Sequence, residues 1–366
     1  MIRRRLLAGI ASLAVVLSGC AGSPAVAPSS PSDATASASA EAPATAAPTA
    51  VVPSPSIGPV PAVIAPQEPL MLLYHCCDGE SGIFVMALDG TDVRRLAADV
   101  PGLHKHPDWS PDGQHVVFTV QETNQMWIAH LDGSPSTRIG VCDRPGCDYP
   151  AWSPDGTRIA FSRTQSVAGV IGPAALTIEI LDLATMETTP VIRLERPLLV
   201  DVPRWSPDGT ELVVGVDRMD DGANEIGAAV AIVPAAGGDL RYLTDFELFG
   251  YNPDWDPTRD LIVFSTEVRE FQAEPEPEDT TWDLYTIRPD GTDLVQITDA
   301  APGERLWNPR WTPDGSMITA ADQSTFTGVW VDPSTGDLDP FPTDLMLARP
   351  QVRPLPVSEG LIAPPA

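Results

Sequence analysis

The side chains best suited to chemistry are few and fall close together. The chain has 5 histidines and 5 cysteines. His75-Cys76-Cys77 forms one cluster, His104-Lys105-His106 a second, and Cys142 and Cys147 flank a short Pro-Gly loop. Imidazole and thiolate are the natural ligands of zinc or copper. Lys105 between two histidines, and the absence of a matching carboxylate spacing, argue against a metal, so no metal and no cofactor is assigned. Four of the cysteines follow the leader, an even number that favours disulfide chemistry in an exported chain. Cys142 and Cys147 are the candidate pair, because the loop between them is short and turn-prone. Crossed pairing with Cys76 or Cys77 is the alternative.

Two acidic runs stand out. Asp217, Asp220, Asp221 and Glu225 occupy 217–225; Glu267, Glu270, Glu274, Glu276, Glu278 and Asp279 occupy 267–279. They read as solvated charge or as a surface for a cationic partner; 217–225 lacks the spacing of an EF-hand calcium loop. Phe249, Tyr251, Phe271 and Trp307 lie in neighbouring loops as aromatic anchors. With His75, His104, His106, Asp217, Asp221 and Glu225 they make up the expected binding face. The sequence contains no G-x-S-x-G, H-E-x-x-H, P-loop or G-x-G-x-x-G, so no catalytic residue is assigned. The net charge of −28 over 366 residues excludes nucleic acid as a partner.

What must position these groups is a repeat. HPDWSPDGQHVVF (106–118), YPAWSPDGTRIAF (149–161), VPRWSPDGTELVV (202–214), NPDWDPTRDLIVF (252–264) and NPRWTPDGSMITA (308–320) share Pro-x-Trp followed by a turn. Their tryptophans are 43, 53, 50 and 56 residues apart, a period that signals a propeller, solenoid or array. Ser-Pro-Asp-Gly suits a type I turn with a left-handed glycine, which makes each aspartate a turn residue rather than a catalytic acid. A second strand–turn–strand follows in each unit, clearest in 82–97 and 282–298. Each repeat therefore reads as four antiparallel strands, one propeller blade. Residues 69–97 supply only three strands of a blade. Arg349-Pro350-Gln351-Val352 carries a worn copy of the motif, with Val352 one further period beyond Trp311. The expectation is an all-β, six-bladed propeller over 67–356, its first blade closed by the C-terminal strand, with 357–366 as a tail. Ring closure removes the exposed sheet edges.

The Pro-x-Trp-Ser-Pro-Asp-Gly repeat resembles that of TolB-type six-bladed propellers over residues 67–354. Similar repeats occur in the non-catalytic propellers of prolyl-oligopeptidase-type enzymes. The resemblance implies a fold, and only weakly a function.

The N-terminus adds an address. Three arginines (Arg3, Arg4, Arg5), an apolar run from Leu6 to Leu17 and Leu17-Ser18-Gly19-Cys20 have the order of a secretory signal. The last four residues resemble a lipobox, which implies cleavage after residue 19 and lipidation of Cys20. Residues 20–66 hold 10 prolines and only Asp33 and Glu41 as charges, the composition of a disordered tether. Fully extended it reaches on the order of 140 Å. The expected protein is a monomeric, lipid-anchored binding or scaffolding module on the outer face of the cytoplasmic membrane. Its loop face would take an envelope or extracellular protein or a small ligand. The alternative is an enzyme, a metal-assisted hydrolase or lyase acting on a polymer at the channel mouth.

Overall fold

A computed structural model describes residues 69–75, 82–142, 146–165, 173–268, 280–341 and 347–354. The signal, Cys20, the tether, Cys76, Cys77, Phe271 and the tail lie outside the described residues. No helix among the described residues is long and apolar enough to cross a membrane.

The chain is an all-β propeller of four-stranded antiparallel blades, and the described residues contribute six such sheets. The inner strands are Leu347–Val352, His104–Trp109, Cys147–Trp152, Leu198–Trp205, Gly250–Trp255 and Leu306–Trp311, taken here as blades 1 to 6. Blade 1 is assembled from both ends of the described chain. Leu347–Val352 runs antiparallel to Leu70–His75, with Met71 opposite Val352 and His75 opposite Leu347. The blades are apolar on both faces because each packs between two others. Residues such as Val116, Val117 and Phe118, or Ile262, Val263 and Phe264, are fully buried in consecutive runs.

The turns follow their chemistry. Gly113 donates to the Ser110 carbonyl at 2.8 Å and sits at φ 63°, where a Cβ would be strained. The Asp112 carboxylate accepts the Ser110 hydroxyl at 2.5 Å and the Gln114 amide at 3.0 Å. Asp155, Asp208 and Asp314 repeat this pattern, which occupies them structurally. Asp256 keeps its turn without the glycine by accepting the Thr258 and Arg259 amides.

One backbone feature recurs six times. The residue before each motif proline has positive φ: His106 51°, Tyr149 50°, Val202 47°, Asn252 49°, Asn308 53° and Arg349 55°. The strand bulges at that point in every blade. A left-handed valine is a strained choice, so the bulge is imposed by the ring. Its effect is to re-aim the residues on either side of the proline toward the propeller axis.

Candidate functional site: the channel mouth

The bulges stack two layers of side chains about the axis. The lower layer uses the residue after each proline. Arg310 donates to Asp254 at 2.7 Å and to Asp108 at 3.0 Å, and Arg204 lies 3.9 Å from Asp254. The second oxygen of Asp108 accepts the Trp152 amide, and that of Asp254 accepts the Trp311 amide, both at 2.8 Å. Gln351 donates to the Pro107 carbonyl at 2.9 Å. This floor ties blades together while neutralising its own charge. Burial and the neighbouring Arg310 lower Arg204 to about 9, and burial raises Asp254 against the pull of both arginines. Against it lies a void of about 10 Å³, lined by Asn252, Asn308, Arg310 and Arg349, room for about one water.

The upper layer uses the residue two before each proline: Lys105, Asp148, Asp201, Tyr251 and Trp307. It divides into a charged side and an aromatic side. Asp148 accepts Lys105 at 2.6 Å, Thr119 at 3.2 Å, its neighbour's amide at 3.0 Å and the His106 Nδ1–H. Burial would raise this carboxyl, but the charges and hydrogen bonds of His106 and Lys105 hold it far below the usual range. Burial depresses His106 to about 4 in spite of Asp148, so the imidazole is neutral at pH 7. A carboxylate only accepts, so Nδ1 carries the proton. The ring stacks on Tyr149 at 3.9 Å, and the Arg349 guanidinium covers that tyrosine at 4.9 Å.

Asp201, Asp217 and Glu225 crowd the next sector. Burial raises Asp201 to about 7; Arg349 opposes the shift, while Glu225 and Asp148 reinforce it. Burial, Asp201 and Glu225 likewise push Asp217 well above the carboxylate range. These three side chains are half-buried. Tyr251 donates its hydroxyl to Glu225. Beyond it, Tyr251, Trp282 and Trp307 form a wall, with centroids 5.1 Å, 5.5 Å and 4.5 Å apart. The arrangement can hold a ligand with a hydrogen-bond donor or positive charge on one side and a flat or apolar surface on the other.

The structure separates the expected binding residues. His106, Asp217, Glu225, Tyr251 and Trp307 meet at the mouth. His104 does not: it is wholly buried, 4.8 Å from the Phe118 ring, and hydrogen-bonds the Val100 carbonyl at 2.9 Å. Alternation along a strand sends it into the core. Asp221 is exposed at the tip of a tight turn in which Asp220 binds Asn224. Phe249 closes a short 3-10 helix in the left-handed conformation. His75 ends the strand Leu70–His75, and its side chain lies outside the described residues. Cys142 and Cys147 are joined as a disulfide, and both are buried between blades 2 and 3. No cluster of three or more histidine, cysteine or acidic side chains among the described residues is arranged to hold a metal. Sequence reasoning missed Asp148, Asp201, Trp282 and Arg349. Three of them were legible in the repeat register: two residues before the proline for the aspartates, one before for Arg349.

No family profile matches the chain. An uncharacterized peptidase YuxL of Bacillus subtilis (strain 168) is 34% identical over 83 residues, 23% of this chain and 12% of that protein. Among solved structures, TolB from Acinetobacter baumannii is similar with a TM-score of 0.57 and 16% identity, over 78% of this chain and 66% of that one. A putative TolB from Agrobacterium tumefaciens gives 0.55 and 19%, over 75% and 88%. A chain of a nidogen/laminin complex gives 0.56 and 12%, over 78% and 98%. The chain thus spans under two thirds of the length of YuxL and of the Acinetobacter TolB. At these identities the likeness to solved structures is one of fold: the chain is similar to TolB-like β-propellers.

Proposed function

We propose that the chain is a lipid-anchored, extracytoplasmic binding module in which six blades close into one ring and the channel mouth takes the ligand. One observation carries the reading. Asp201, Asp217 and Glu225 repel one another beside an aromatic wall, above a floor whose two carboxylates are both paired with Arg310. Evolution of a merely stable ring would not require that crowding, and a bound donor or cation would relieve it. The signal, lipobox and tether support placement outside the membrane, and the resemblance to TolB-like propellers supports protein partners.

The test is site-specific photocrosslinking from Trp307 in the intact envelope, with the wild type compared with Asp201→Asn/Asp217→Asn. Loss of the crosslinked species in the double variant supports the mouth as the site. An identical crosslink pattern from a properly folded double variant overturns it.

The second reading, an enzyme, rests on the His106–Asp148 pair, a neutral imidazole oriented by a carboxylate as in general-base catalysis. Hydrolysis or elimination on an envelope polymer that survives His106→Asn would exclude that role.

A further inference from the structure

The two histidines that stand outside the clusters meet in blade 2. His115 opens the strand His115–Val120, His130 ends the strand Gln125–His130, and the two are directly opposite in the antiparallel register. Leu131 donates to the Gln114 carbonyl, so His115 and His130 form a pair without ladder hydrogen bonds, where facing side chains come closest. Both are half-buried, and their Nδ1 atoms lie 3.0 Å apart with the rings nearly perpendicular at 86°. Blade architecture does not ask for this. The matching cross-strand pairs are Arg158 with Asp182 in blade 3 and Glu211 with Pro234 in blade 4.

The geometry is that of a chelate. A metal ion bound to two imidazoles at about 2.0–2.1 Å each, with an angle of about 90–110° between them, holds the nitrogens about 2.9–3.4 Å apart. The observed separation falls inside that range. The far side of His130 is anchored, its Nε2 lying 2.9 Å from the Thr137 hydroxyl. With Nε2–H donated to that hydroxyl, the Nδ1 lone pair faces His115, which is how an outer partner fixes the tautomer of a ligating histidine. The surroundings favour a cation. Asp132 and Asp99 attract positive charge at His130, and Asp112 and Asp132 attract it at His115. None of these carboxylates joins the histidines in a cluster of three ligands among the described residues, so water would fill the remaining positions.

We propose that His115 and His130 chelate one divalent transition-metal ion through both Nδ1 atoms, with Thr137 as a positioning residue. The ion takes the place of the proton now shared between the rings, and His115 carries its proton on Nε2 instead. Imidazole nitrogen selects copper, nickel or zinc over calcium and magnesium, which prefer oxygen. The site sits beside the turn that holds Asp112 and Gly113, at the end of the blade away from the channel mouth, and does not depend on that mouth.

The experiment titrates the full chain with zinc chloride alone at neutral pH, in the Cys76→Ser/Cys77→Ser background so that no thiol there competes. Binding is followed by calorimetry and by NMR of the imidazole nitrogens. One saturable site per chain with micromolar affinity is expected, the His115 and His130 resonances shifting together. His115→Asn or His130→Asn should weaken binding at least about tenfold, because the second imidazole acts at high effective concentration. Thr137→Val should weaken it about tenfold and Thr137→Ser restore it. Copper(II) should show two-nitrogen coordination in its electron paramagnetic resonance spectrum. Zinc affinity unchanged in His115→Asn, or a calcium response equal to that of zinc, would overturn the proposal. So would histidine resonances at both positions that stay still at millimolar zinc. If a histidine variant does not fold, those two resonances in the parent chain decide by themselves.

Discussion

The floor and the mouth of the channel are built from residues three apart in the same strands, yet they handle charge in opposite ways. At the floor every carboxylate has a guanidinium and a backbone amide: Asp254 with Arg310 and the Trp311 amide, Asp108 with Arg310 and the Trp152 amide. At the mouth, Asp148 is satisfied by Lys105 and His106, but Asp201 and Asp217 have carboxylates among their nearest charges and, with burial, are pushed above the usual carboxylate range. A ring needs only the first arrangement. Charges that pair internally hold blades in register, while charges that oppose one another cost the fold stability.

Removing the strand that belongs to both layers should have the largest effect. Truncation after Phe341 deletes Arg349 from the mouth and Gln351 from the floor, and leaves Leu70–His75 as an open sheet edge. The expected outcome is loss of cooperative unfolding in calorimetry; an unchanged melting temperature would contradict a closed ring.

Next is the floor alone. Arg310→Ala strands Asp108 and Asp254 without their main cation, and breaking a buried pair costs about 3–5 kcal/mol. Chemical denaturation should show it. Adding Asp108→Asn and Asp254→Asn to Arg310→Met should recover much of the loss, because the penalty belongs to the uncompensated carboxylates.

The mouth predicts the opposite sign. Asp201 titrates near 7 in the folded protein and near its ordinary value when unfolded, so the folded state holds the extra proton between about pH 4 and 7. Stability from this group is therefore present at low pH and falls as pH rises through 7. Asp201→Asn should stabilise the protein at pH 8 by on the order of 1–3 kcal/mol, and by little at pH 4. A variant less stable than wild type at pH 8 would refute the crowding.

The smallest effect is expected away from both layers. The Cys142–Cys147 bond closes a short loop, and the chain-entropy model gives it on the order of 2 kcal/mol or less. Cys142→Ser with Cys147→Ser should fold, with a modestly lower melting temperature and unchanged mouth chemistry, read from the pH profile of stability.

Much of this was readable beforehand because it is local and repeated. The Ser-Pro-Asp-Gly turns, the strand after each, and the Cys142–Cys147 pairing follow from turn chemistry and short chain separation, and the structure has each of them. His104 stands two residues from His106 but does not share its direction. The bulge at His106 turns one toward the axis while strand alternation buries the other. Asp148 and Asp201 drew no notice because each is an isolated acid in its own repeat, whereas the acidic run at 217–225 advertised itself.

By itself the sequence determined the unit: a tryptophan strand, a tight turn, and apolar strands whose two faces must both be covered, for which a ring of repeats is the physical answer. Only the tertiary structure decided which members of successive repeats meet. Asp148 and Asp201 are 53 residues apart, and Asp108 and Arg310 are 202 apart, yet each pair shares one layer of the channel. No periodicity encodes their charges, because the repeat fixes where a side chain points and leaves its identity free. Pairing at the floor and crowding at the mouth arise only when the ring closes and brings those free choices within reach of one another.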